Sequence, residues 1–210
     1  MKKILSLFMG IILVCLFLTA CHRDEVLLED MAAGVNGVYI SWEQVDNRIL
    51  IHKIQNDAFA ATFSESYYEE EYQKNLEKVW MSTEKEDVLR ELVEAEVLRQ
   101  QCEEDNITII SYVEAEEMLM KEFQRMKTDD TQKVFYTNLI KSLETNGVQE
   151  NVFLELASQY SYDFYNVSLV KQDFNKNQFD EKSPLSLDEQ FQEYVDQLII
   201  KAGVIYANSN

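Results

Sequence analysis

The stretch Glu86–Ile107, EDVLRELVEAEVLRQQCEEDNI, constrains the fold of this chain more than any other. Its apolar residues fall at Val88, Leu89, Leu92, Val93, Val97, Leu98 and Cys102, with charged or amide side chains between them. Spacings of one, three and four place these residues on a single stripe of an α-helix and give the opposite face to water. Asn106 tolerates the left-handed C-cap conformation and marks the stop; Ile107 then packs back on the last turn. One helix cannot bury such a stripe by itself, so other helices must cover it. Gly is scarce and Pro184 is the only proline, which favours long helices over a sandwich or barrel.

Residues 1–20 read as a targeting segment and stand outside the fold. Lys2 and Lys3 supply a positive start, Ile4 to Leu18 is an almost unbroken apolar run, and Leu18-Thr19-Ala20-Cys21 closes it. That tetrad resembles the lipobox of bacterial lipoproteins, which implies cleavage before Cys21 and acylation of its sulfur. Cys15 leaves with the signal. The mature chain then begins at Cys21, anchored through its lipid to the extracytoplasmic face of a membrane in the cell envelope, with residues 21–34 as a tether.

Cys102 is the one thiol left, so no disulfide framework exists. On an apolar stripe it behaves as a small hydrophobe. His22 and His52 are the only histidines, and neither has the spacing to Cys or carboxylates of a zinc site. No catalytic residue, metal ligand or cofactor motif emerges, and the expectation is a protein that is not an enzyme. The chain carries 38 acidic against 19 basic residues. That balance disfavours nucleic acid and charge-driven binding to anionic lipid. Glu69-Glu70-Glu71 lacks the Asp/Asn and Gly spacing of a calcium loop and reads as a solvated face.

In order, Val35 to Ile40 is a β-type run with an Asn36-Gly37 turn signal. Ser41 and Gln44 form a capping box opening a helix through Val45, Ile49 and Leu50. Ile54 to Trp80 is helical, as an extension of that helix or a second one. Ser82 to Glu86 caps the central helix. A second capping box, Ser111 with Glu114, opens a helix carrying Met118, Leu119, Phe123 and Met126. Thr128-Asp129-Asp130 caps the next, with Phe135, Leu139 and Leu143, ended by Asn146-Gly147. Val148 to Phe174 is helical. Asn175 to Leu187 is a polar loop, and Ser186 or Asp188 caps a last helix that Gly203 stops. Val204 to Ala207 is a short strand. With no other partner available, it is expected to pair with Val35 to Ile40.

Three pieces of this chain resemble SurA/PrsA-type extracytoplasmic chaperones, in the trigger factor/SurA peptide-binding-like N-terminal domain. The first is Leu-x-x-Leu-Val-x-x-x-Val-Leu-x-x-x-Cys-x-x-x-Asn-Ile, similar to that family's central helix, with Cys102 at its small Ala position and Asn106 at its Gly. The second is the opening VNGVYISWEQVDNRI. The third is the close, Phe191 through Ile205. The resemblance runs from about Val35 to Ala207, and the link after Ile107 carries one extra residue. Phe153 to Asp163 resembles a helix of parvulin isomerases, but the strands, histidines and Gly-Gly-x-Leu-Gly stretch of that domain are missing. Where family members commonly insert an isomerase, this chain crosses residues 175–187 in a loop.

The resemblance implies a mainly α, SurA-N-like domain over 35–207, with a short β pair from the chain ends. It implies a membrane-anchored holdase for unfolded or partly folded exported polypeptides, working without catalysis. Such binding needs adaptable apolar side chains, for which Met81, Met118, Met120 and Met126 are candidates. The sequence does not single out peptide-binding residues. Two other readings stay open: a dedicated interaction subunit of an envelope or secretion complex, and a degenerate prolyl isomerase. Cys21→Ala should leave an unprocessed precursor without lipid; unchanged metabolic lipid labelling of that variant would exclude Cys21 as the acylated residue.

Overall fold

A computed structural model describes residues 29–66 and 69–207. The expected targeting segment, with Cys15, and also Cys21 and His22 lie outside the described residues. Two strands open the described chain, β1 (Met31–Val35) and β2 (Val38–Ser41). Seven helices follow: α1 (Trp42–Ser66), α2 (Glu69–Val79), α3 (Lys85–Asp105), α4 (Tyr112–Thr128), α5 (Lys133–Thr145), α6 (Glu150–Asn177) and α7 (Leu187–Ala202). The last element is β3 (Ile205–Tyr206). The fold is mainly α with one small sheet. Among the described residues, no helix is long and apolar enough to cross a membrane.

The central helix is α3, and all seven residues of its stripe are buried. Asn106 caps it at φ 57°, and both Asn106 and Ile107 return their N–H groups to the Cys102 carbonyl. Around this stripe gathers the first hydrophobic cluster: β1, the start of α1, the C-terminal half of α6 (Val170, Phe174) and α7 (Phe191, Val195, Leu198). A second cluster joins Ile51, Ile54 and Ala58 of α1 to Phe123 of α4, Leu139 and Leu143 of α5, and Phe153 and Ala157 of α6. Helices α1 and α6 contribute to both. At about 1.5 Å per residue each runs roughly 40 Å, long enough to serve as a spine for the two clusters.

Side-chain capping closes three of the seven helix starts among the described residues. Ser41 with Gln44, Ser111 with Glu114 and Ser186 with Glu189 each close reciprocally. Two expected caps differ. Glu84 is the N-cap of α3 with no side-chain bond, while Ser82 accepts from the Glu84 N–H and donates to Asp87. Asp129 holds the Thr131 N–H and hydroxyl, and Gln132 precedes α5 without capping it through its side chain.

The sheet order is β2-β1-β3, all antiparallel. Asn36 (φ 47°) and Gly37 (φ 84°) form the two-residue turn between β1 and β2, the conformation in which an Asn-Gly pair costs least. Two expectations need correction here. The tether does not extend to residue 34, because Met31–Val35 is a strand whose Ala32, Ala33 and Val35 are fully buried. Small residues without polar alternation gave no strand signal, yet they let the sheet lie close on α3. The chain ends do meet, but β3 pairs with residues of β1 just before the expected Val35–Ile40: Ala33 with Tyr206 and Gly34 with Ile205.

Since Leu92 belongs to the buried stripe, Leu92→Ala should cost about 2–5 kcal/mol in urea unfolding. Glu94 bonds Arg90 and Gln192 and is no neutral reference; Glu86, exposed in the first turn of α3, should change by about half a kcal/mol or less on replacement by Ala. Equal losses for Leu92→Ala and Glu86→Ala would contradict this assignment of the faces.

Candidate functional site

Along α1, Arg48, His52 and Asn56 recur every four residues on one face, with exposures of only 3%, 2% and 2%. A polar stripe buried this deeply must be partnered: Arg48 and His52 share Glu91, and Asn56 holds a backbone segment. The Arg48 guanidinium pairs with Glu91 of α3 through Nη1 and with Asp163 of α6 through Nη2. Its carbon also lies 4.8 Å from the centre of the Tyr160 ring. The His52 Nδ1 lies 2.7 Å from the Ser82 carbonyl, and Nε2 faces Glu91 Oε2 at 3.4 Å. A carbonyl oxygen only accepts, so Nδ1 carries a ring proton. Asn56 clasps the backbone of Met81, donating to its carbonyl at 2.7 Å and accepting from its N–H at 3.0 Å.

Opposing effects set the charge state of this network. Burial pushes the Glu91 carboxyl up, but the His52 contact and the Arg48 charge together outweigh it and leave the group below its ordinary value. For Asp163 burial wins over Arg48, and its carboxyl is raised. Burial, then the Glu91 charge, raise the Tyr160 phenol. One cation between two carboxylates thus joins three helices at the seam of the two clusters.

Above the seam opens a cleft of about 410 Å³. Its walls come from β2, α1, α3 and α6, including Tyr39, Asn47, Glu96, Arg99, Gln159 and Asp163. Arg99 is held by Glu96 and Glu103, each at 2.7 Å. Near its Tyr162 wall, Tyr112 of α4 lies 6.2 Å away ring to ring. Apolar surface continues on α4 itself: Tyr112, Val113, Met118 and Met120 are 40%, 60%, 39% and 39% exposed. Val113 and Met120, seven residues apart, share one face of α4, while Met118 projects from another.

Of the methionines singled out from sequence, Met118 and Met120 therefore face solvent, whereas Met126 packs into the second cluster. Met81 is half-buried, and its sulfur lies 3.6 Å from the Tyr160 hydroxyl. Cys102 is fully buried, and burial pushes its thiol up to about 11, the behaviour of a structural cysteine. Glu70 and Glu71 are exposed on α2. No cluster of three or more metal-ligating side chains occurs among the described residues. The segment Phe153–Asp163 is the middle of α6; it buries Phe153 and Ala157 and supplies Asp163 to Arg48.

Arg48, Asn56, Glu91 and Asp163 escaped the sequence reading. The repeat of Arg48, His52 and Asn56 at helical spacing was the available sign, but periodicity alone does not tell a buried polar stripe from a solvated one. No family model, curated protein or solved structure matches the chain.

Arg48→Met should destabilise the fold by about 3 kcal/mol at neutral pH, because it strands the largely buried Asp163 carboxylate. Without the cation the Asp163 carboxyl should titrate further above its unfolded value, whereas Glu91, 39% exposed, keeps water and His52. Stability is then lost as pH rises through the Asp163 folded-state value and regained below it. Urea unfolding of Arg48→Met should therefore show its deficit relative to wild type shrinking between neutral and acidic pH. A pH-independent deficit would contradict the ion-pair account.

Proposed function

We propose that this chain is a membrane-anchored, extracytoplasmic holdase of the SurA/PrsA type, binding unfolded or partly folded exported polypeptides without catalysis. The observation that carries the reading is the cleft at the seam together with the apolar surface on α4. The cleft mixes aliphatic, aromatic, amide and charged groups, and it is open along one side by an edge strand. A polypeptide of unspecified sequence offers backbone amides and varied side chains, and a mixed lining can satisfy both. Met118 and Met120 add unbranched, polarizable contacts that repack around different partners.

In this reading the Arg48 network is structural. It fixes the walls of the cleft relative to one another, and the lipid on Cys21 keeps the body where exported chains emerge. The loop at residues 178–186 lies where SurA/PrsA-type chaperones commonly carry an isomerase. The expected behaviour is suppression of aggregation with no acceleration of prolyl isomerisation.

The test is light scattering of two unrelated, chemically unfolded proteins diluted into buffer containing the full chain in mild detergent. Scattering should fall with increasing chain for both clients, while a proline-containing model peptide isomerises at the background rate. Undiminished scattering with both clients would overturn the holdase reading, and catalysed isomerisation would overturn its non-enzymatic part.

A further inference from the structure

The hairpin register determines which backbone groups of β2 are free. In a two-residue hairpin the residues flanking the turn, Val35 and Val38, exchange hydrogen bonds, and the pattern alternates from there. Ala33 and Ile40 therefore face each other through hydrogen bonds, and the intervening pair, Gly34 and Tyr39, points outward on both strands. On the β1 side those outward groups are taken: Gly34 is paired with Ile205, and the Ala32 carbonyl accepts from Ala207 at 2.9 Å. On the β2 side the Ser41 N–H is taken by Gln44 Oε1. The Tyr39 N–H and C=O have no protein partner among the described residues.

That free edge borders the cleft, with Val38 and Tyr39 still 39% and 45% exposed. Val38, Tyr39 and Ile40 all line the cleft. Successive strand residues point to opposite faces, so three in a row border one space only when it lies along the strand's edge. An unpaired strand edge is a template for another strand, and natural proteins ordinarily cover it or blunt it. Here α1, α3 and α6 wall it in while leaving it unpaired.

We propose that the Tyr39 edge of β2 receives an extended, basic polypeptide segment, which adds to the sheet within the cleft. The proposal rests on the holdase reading above and specifies how a client would be gripped. Backbone pairing at Tyr39 is indifferent to client sequence, and the amides of Asn47 and Gln159 lie on the same walls to meet neighbouring backbone groups. Charge selects among clients. The lining has the carboxylates Glu96, Glu155 and Asp163 against two guanidinium groups, Arg48 and Arg99. Both guanidinium groups are engaged, Arg48 by Glu91 and Asp163 and Arg99 by Glu96 and Glu103. Glu155 is exposed and forms no ion pair among the described residues, so its charge is open to a cationic side chain. A second folded copy is a poor occupant, since this chain is strongly acidic, with a formal charge of −19, and two copies repel.

The test uses the full chain in detergent micelles and a capped hexapeptide alternating Val and Lys, with a Val–Glu counterpart. Amide hydrogen exchange should show Tyr39 unprotected in the free chain and slowed on the order of tenfold by the Val–Lys peptide, with little effect from Val–Glu. Tyr39→Pro removes the outward N–H but no β1–β2 hydrogen bond, and should weaken the Val–Lys peptide by on the order of tenfold with unchanged circular dichroism. Should that variant misfold, Glu155→Lys is the second probe, weakening Val–Lys binding and strengthening Val–Glu. Tyr39 exchange unchanged at saturating peptide, equal effects of the two peptides, or protection that grows with protein concentration alone would each overturn the proposal. Full aggregation suppression by Tyr39→Pro would overturn the edge while leaving the holdase reading intact. Loss of suppression in the wild type would overturn the holdase reading, and the exchange of Tyr39 would still decide the edge.

Discussion

A guanidinium group held away from water between two carboxylates is the constraint on which the arrangement of this protein turns. Arg48 belongs to α1, Glu91 to α3 and Asp163 to α6, and the three meet where the two hydrophobic clusters adjoin. Apolar packing is tolerant: helices coated with Leu, Val and Phe can slide or rotate by a residue and still bury most of their surface. A buried charge has no such freedom, because a small displacement leaves it unpaired in a poor dielectric. The ion pairs therefore fix the registry of three helices that hydrophobicity alone would leave loosely defined.

The same face of α1 reaches further along the chain. His52 meets the Ser82 carbonyl and Asn56 clasps Met81, so the connection between α2 and α3 is held to α1 by hydrogen bonds. At the opposite end of α3, Gln100 donates to the Val35 carbonyl and to Glu96 and accepts from Asn36, which docks the hairpin turn. Polar contacts thus locate α3 at both ends, while its apolar stripe provides the burial. The cleft is a consequence: β2 and three helices are held apart by groups that must stay paired, and the space between them is left unfilled.

Much of the secondary structure was legible from local chemistry. The stripe from Val88 to Cys102, the αL cap at Asn106, the capping boxes at Ser41 and Ser111, and the stops at Gly147 and Gly203 are decided by neighbours within a few residues, and the structure has them where the pattern places them; of the two candidates for the last cap, it takes Ser186. The failures are equally physical. Met31–Val35 carries mostly small residues and no alternation, so its strand exists only because the sheet must lie close to α3 and because β3 arrives from the far end of the chain. Thr128–Asp130 looked like a cap, yet Asp129 satisfies its own turn instead.

The sequence by itself determined the helical class, several of the helix ends and the buried face of the central helix, because these depend on periodicity and on capping within one turn. It also placed the Asn-Gly turn that makes the hairpin, since positive φ at two consecutive residues restricts the choice. Only the tertiary structure decided that β1 lies in the middle of the sheet, that Arg48 is buried between residues 43 and 115 positions away, and that the free edge of β2 faces a cleft. Each of those depends on contacts between segments distant in the chain, and a buried cation and a solvated one have the same local pattern until the partners come together.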